Sequence, residues 1–138
     1  VTQPPTRRRV LAAGAGVAMA PVVASCADPS ADPHFNQVDP PGPGRQVGMA
    51  ADVPVGGCQV FARYGTVVSQ PEEGEFRAFN AECSHKGCFV GSSDQGHIPC
   101  RCHGSMFDLA TGERLAGPAK EPLAPVEIVV EDGRIITA

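Results

Sequence analysis

No segment of this chain has the apolar periodicity of a long amphipathic helix, and no internal repeat is evident. With 16 Gly and 14 Pro among 138 residues, the composition excludes a helical bundle and suits a loop-rich β protein with many turns. Once a leader and linker are set aside, the length leaves room for one compact domain and none for a second. Positive charge is scarce where that domain would lie. All 15 acidic residues follow Cys26, whereas Arg7, Arg8 and Arg9, three of the 11 basic ones, precede it. From residue 27 onward, eight basic groups therefore face 15 acidic ones. That balance argues against a nucleic-acid partner, because phosphate binding needs a basic face. It favours a partner with a positive docking patch.

The start of the chain reads as an address. Arg7-Arg8-Arg9 stands directly before an uncharged stretch, residues 10–27, and resembles a twin-arginine export signal. The stretch is rich in Ala and Gly, is interrupted by Pro21 and barely reaches the length of a membrane span, so a retained anchor is the weaker alternative. Val23-Ala24-Ser25-Cys26 resembles a bacterial lipobox, in which the cysteine thiol takes a diacylglyceryl group and becomes the new N-terminus. Ala18-Met19-Ala20 mimics an ordinary cleavage site, but Pro21 follows the cut. The expected organisation is a signal peptide over 1–26, a disordered Pro/Gly-rich linker over 27–50 and a folded domain over 51–138. Pro29, Pro33, Pro40, Pro41 and Pro43, with few bulky apolar neighbours, make the linker unable to offset its chain entropy. His34, alone in it, is a solvated residue.

The rest of the chain is punctuated into short strands. Cys58, Val60, Ala62 and Tyr64 alternate with Gln59 and Arg63 as in a half-buried strand, with Phe61 on the polar side. Gly65 opens a turn, residues 66–69 form a β-branched run, Gly74 precedes a segment at 76–79, and residues 126–130 and 134–137 flank Asp132-Gly133, a tight-hairpin signal. Short strands without crossover helices predict an all-β, antiparallel sandwich or barrel. Two irregular loops, 83–90 and 100–105, interrupt the pattern and hold four of the six cysteines.

Those loops carry the chemistry. Cys83-Ser84-His85 and, after 14 intervening residues, Cys100-Arg101-Cys102-His103 form a C-x-H and a C-x-x-H, each offering one thiolate and one imidazole. Such a set suits a tetrahedral zinc, as in a zinc-stabilised extracytoplasmic binding module, or a cluster with one Cys-ligated and one His-ligated iron. The tight C-x-H spacing, an additional cysteine in each loop (Cys88 and Cys102), and Gly104-Ser105 directly after the last ligand weigh against zinc. His97 lies between the pairs but is not needed to complete the spacing.

Through Cys83-Ser84-His85-Lys86-Gly87-Cys88 and Cys100-Arg101-Cys102-His103-Gly104-Ser105-Met106-Phe107-Asp108 the chain closely resembles the Rieske family, over roughly 58–138. The resemblance implies a Rieske-like antiparallel β sandwich with a small two-loop cluster-binding subdomain. It implies one 2Fe-2S cluster, with Cys83 and Cys100 on one iron and His85 and His103 on the other, where the added electron resides. It also implies a disulfide between Cys88 and Cys102, and a third loop over the cluster, matched here by Gly117-Pro118-Ala119. High-potential members place a serine and a tyrosine where this chain has Ser105 and Phe107, so one tuning hydroxyl is kept and one is lost. Neutral imidazoles in place of two thiolates leave the reduced cluster with a single negative charge, which raises its potential within a range of about −150 to +300 mV.

Cysteine accounting agrees with export: two thiols for iron, two for the disulfide, Cys26 for lipid, and Cys58 left as a buried core thiol or, without lipidation, a partner for Cys26. The disulfide requires an oxidising compartment and cluster insertion the cytoplasm, which twin-arginine export of folded protein reconciles. No catalytic base or substrate-binding set emerges. The expected function is one-electron transfer at the outer face of the bacterial cytoplasmic membrane, as a lipid-anchored carrier or a subunit of an oxidoreductase complex. Its partner is a redox protein or a quinol-oxidising complex.

Overall fold

The computed structural model describes residues 38–138. Among them the chain forms ten short strands: β1 (Gln46–Met49), β2 (Gly57–Phe61), β3 (Thr66–Gln70), β4 (Arg77–Asn80), β5 (Ile98–Pro99), β6 (Met106–Phe107), β7 (Arg114–Ala116), β8 (Pro125–Val126), β9 (Ile128–Glu131) and β10 (Arg134–Thr137). They make three antiparallel sheets, ordered β1-β10-β9, β2-β3-β4-β8 and β5-β6-β7. The all-β antiparallel expectation holds.

The middle sheet is covered on both faces. Every residue of β3 is buried, and successive side chains of a strand point to opposite faces. Val67 of β3 and Phe79 of β4 accordingly join one core with Cys58, Ile98, Cys100 and Phe107. Val68 and Ala78 join a second core with Val47, Val53 and Ile135. The first core ties the middle sheet to the cysteine loops, and the second ties it to β1-β10-β9. Phe61 therefore does not sit on a polar side: it packs against the second core, and a Cβ on Gly48 of β1 would collide with its ring.

Three sequence expectations need correction. The linker does not extend to residue 50, because Gln46–Met49 pairs with β10, burying Val47, and residues 50–52 form a 3-10 turn. The strand expected over 58–64 stops at Phe61, and Ala62–Tyr64 is a 3-10 turn ended by Gly65 at φ +53°. The run 126–130 is two strands in two sheets, split at Glu127. The Asp132-Gly133 hairpin forms as expected, with φ values of 49° and 74° joining β9 to β10. Cys58 is 1% exposed and unpaired with any other cysteine among the described residues. Burial pushes its thiol up to about 11, partly offset by a hydrogen bond from Ser93. Arg7 to Arg9, Cys26 and His34 lie outside the described residues.

Candidate metal centre

The two cysteine loops share one backbone design. In the first, Cys83 N–H donates to Cys88 O (2.8 Å) and Gly87 N–H to Cys83 O (2.9 Å). In the second, Cys100 N–H donates to Ser105 O (2.7 Å) and Gly104 N–H to Cys100 O (3.0 Å). Gly87 and Gly104 hold φ of 76° and 78°, a region L side chains rarely enter. The first loop is closed at its base by the Glu82–Phe89 bridge and the second by the pairing of β5 with β6. Each loop thus starts from a thiol at the edge of the first core and returns to it.

This design sorts the four candidate ligands into two pairs. Cys83 and Cys100 are 2% and 3% exposed and belong to the first core. Burial pushes the Cys83 thiol up. The His85 backbone N–H opposes that rise, Cys100 adds to it, and the Ser105 hydroxyl lowers it slightly. A thiol so placed stays protonated until a metal takes the proton's place. The imidazoles lie nearer solvent. The His85 and His103 rings meet edge to face, with centroids 4.6 Å apart and planes at 86°. Desolvation first, then the charges of His103, Lys86 and Lys120, hold His85 below its ordinary value and so keep it neutral at pH 7. Although its ring is partly open to solvent, His85 Nδ1 is buried with no hydrogen-bond partner. A sealed lone pair of that kind is costly unless something binds it.

Two thiols and two imidazoles, one with an orphaned Nδ1, are donor chemistry that fits a cluster with one sulfur-ligated and one nitrogen-ligated iron. His97 stands apart, its Nδ1 facing the Gln95 carbonyl at 3.2 Å.

The expected disulfide is present: Cys88 and Cys102 are bonded, with Cα atoms 6.5 Å apart, and staple the loops together. A third segment, 117–121, is pinned by one serine from each loop. Ser105 Oγ accepts from Ala119 N–H at 3.0 Å. Ser84 Oγ donates to Glu121 O at 2.6 Å and accepts from Glu121 N–H at 3.3 Å. Gly117, at φ +88°, lies so close that a Cβ would strike the Ser105 backbone, and its carbonyl accepts from Arg114. Pro118 sits exposed in this segment. Phe107 is fully buried in the first core and has no polar group to offer. Sequence reasoning missed Ser84, whose partner lies 37 residues away, and the pinning role of Ser105. Asp108 closes the turn behind the second loop. Its Oδ1 accepts from the N–H groups of Ala110 (2.9 Å) and Thr111 (2.8 Å), and these bonds hold its carboxyl below the usual range.

Comparison with known proteins points the same way. Residues 45–127 match the model of the Rieske [2Fe-2S] domain. The cytochrome b6-f complex iron-sulfur subunit of Chlorobaculum tepidum is 32% identical over 94 residues, covering 67% of this chain and 51% of that protein. The 3-phenylpropionate/cinnamic acid dioxygenase ferredoxin subunit of Photorhabdus laumondii is 31% identical over 87 residues, covering 61% and 83%. The chain thus spans about half the length of that b6-f subunit. Among solved structures, the Sphingomonas yanoikuyae B1 ferredoxin superposes with a TM-score of 0.57 at 25% identity, over 68% of this chain and 96% of that one.

Proposed function

Because the chain belongs to the family of Rieske [2Fe-2S] domains, whose cofactor is one such cluster, we propose that Cys83 and Cys100 hold one iron and His85 and His103 the other. On this reading the protein passes single electrons between redox partners. The observation that carries it is the division of the donors into a buried thiol pair and an imidazole pair at the rim, one imidazole with an orphaned Nδ1. When bound, the cluster supplies a one-electron couple at higher potential than an all-cysteine cluster.

The chain's own residues do the rest. The buried thiolates keep water from the sulfur side, while the imidazoles bring the redox centre toward the surface, where an electron has the shortest path to a partner. The imidazole nitrogen remote from the metal is free to hold or release a proton as the local charge changes. Ser105 Oγ, occupied as an acceptor by Ala119, keeps its own proton for a sulfur ligand. The Cys88–Cys102 bridge and the two serine pins hold both loops and the third segment as one rigid cap.

The relatives include a cytochrome b6-f subunit and a dioxygenase ferredoxin subunit. A redox protein or a quinol-oxidising complex is therefore the partner class proposed here. Among the described residues no helix is long and apolar enough to cross a membrane. We place the domain at the outer face of the cytoplasmic membrane, on a lipid at Cys26 after cleavage directly before that residue and a tether that ends before β1. Mass spectrometry of membrane-extracted protein should find diacylglyceryl on Cys26, and an intact 10–27 segment would contradict that. The ligand assignment is tested by substitution: His103→Ala should abolish the visible cluster spectrum and His97→Ala should leave it, and equal behaviour would overturn the assignment.

A further inference from the structure

The net acidity of this chain is not spread evenly. Residues 83–121, which build the two loops and the third segment, carry four basic and four acidic groups. The rest of the described chain carries four basic and nine acidic ones. Exposed Glu72, Glu73 and Glu75 lie in the turn at the far end of β4 from the first loop, and Glu131 and Asp132 lie in the β9–β10 hairpin.

Around the imidazoles the sign is reversed. Lys86 follows His85 directly and is exposed. Lys120 is brought beside it by the two hydrogen bonds between Ser84 and Glu121. Arg101, also exposed, sits in the second loop two residues before His103. The two ion pairs among the described residues, Arg77–Glu75 and Arg134–Asp132, lie elsewhere, so Lys86, Arg101 and Lys120 have no carboxylate partner. Glu121 is the one carboxylate on the third segment.

We propose that this end of the domain is a docking face for an acidic electron-transfer protein, one whose own redox centre is ringed by carboxylates. The proposal rests on the electron-transfer reading above and reverses the expectation, drawn from net charge, of a positively charged partner. Two unpaired lysines beside the imidazoles, with Arg101 exposed on the second loop, steer carboxylates to the point where the electron leaves, while the acidic turns at 72–75 and 131–132 repel them elsewhere. The same lysines disfavour insertion of this tip into an apolar pocket, because an unpaired charge resists transfer out of water.

The test uses the full, cluster-loaded protein, reduced and mixed in stopped flow with anionic hexacyanoferrate(III) or cationic tris(phenanthroline)cobalt(III). Net charge alone predicts that added salt speeds the anion and slows the cation. A basic exit face predicts the opposite: between about 10 and 300 mM salt the anion's rate should fall several-fold. A decaglutamate peptide should compete with the anion, and decalysine should not. In Lys86→Glu/Lys120→Glu the salt dependence should invert, a sign that a change in driving force alone does not produce. An anion rate that rises with salt in the wild type, or one unaffected by decaglutamate, would overturn the proposal with the cluster reading intact. Rates that drop as protein concentration rises would show the face covered by the acidic end of a second copy and would also overturn it. Protein lacking any reducible centre would instead refute the electron-transfer reading.

Discussion

Ser105→Ala removes at once the two roles proposed for one hydroxyl, and each has its own readout. Ser105 is 1% exposed, and its oxygen accepts from the buried Ala119 N–H at 3.0 Å, which leaves the hydroxyl proton for the sulfur ligand proposed above. Removing the proton donor deprives the reduced, more negative state of a hydrogen bond that is stronger to charge than to a neutral group, a difference of about 1 kcal/mol. With 59 mV per tenfold change for a one-electron couple, the midpoint potential should fall by about 40 mV. Removing the acceptor strands the Ala119 N–H, at a cost of about 1–3 kcal/mol. For a domain of this size that lowers the melting temperature by roughly 4–8 °C per kcal/mol. Ser84→Ala is the control, because its proton is already committed to the Glu121 carbonyl at 2.6 Å. It should loosen the third segment without moving the potential. Protein-film voltammetry and thermal melts on the three proteins decide the matter. An unchanged potential in Ser105→Ala with the cluster intact, or an equal drop in Ser84→Ala, would refute the assignment of the donor.

Phe107→Tyr should raise the potential by tens of millivolts by adding a second hydroxyl beside the ligand sulfurs; voltammetry showing a drop with the cluster retained would contradict this. Cys88→Ser/Cys102→Ser should form the cluster but lose it faster, with about 3 kcal/mol less stability in the chain-entropy model, as read by bleaching kinetics and denaturant melts. Asp108 has its carboxyl lowered by the Thr111 and Ala110 hydrogen bonds. Its contribution is therefore complete above the unfolded value of about 3.9 and is lost as pH falls through the lower folded value. The melting deficit of Asp108→Asn should be full at pH 7 and shrink below about pH 4, and a deficit independent of pH would contradict the assignment.

The two loops were legible because the proposed ligand chemistry is local: Cys83 with His85, and Cys100 with His103, are read within four residues of chain. The Cys88–Cys102 bond, implied only by family resemblance, is present in the structure. What escaped were contacts between distant segments. The sequence around Val47 is thin in apolar residues and follows a proline-rich run, so only its pairing with β10, some 90 residues on, makes it a strand. Val126 and Val129 read as one apolar run because nothing local marks Glu127 as the point where the chain leaves one sheet for another. Phe61 seemed misplaced on its strand because a sheet with both faces covered has no polar side. Ser84 looked like a spacer within C-x-H, since its partner belongs to the third segment.

The central claim, one cluster with mixed ligands, is tested most directly by electron paramagnetic and electron-nuclear double resonance spectroscopy of the anaerobically purified, dithionite-reduced protein, with metal analysis of the same sample. The account predicts two irons and two sulfides per chain, and a one-electron signal coupled to two imidazole nitrogens. One zinc per chain without iron, or a reduced cluster showing no nitrogen coupling, would contradict it.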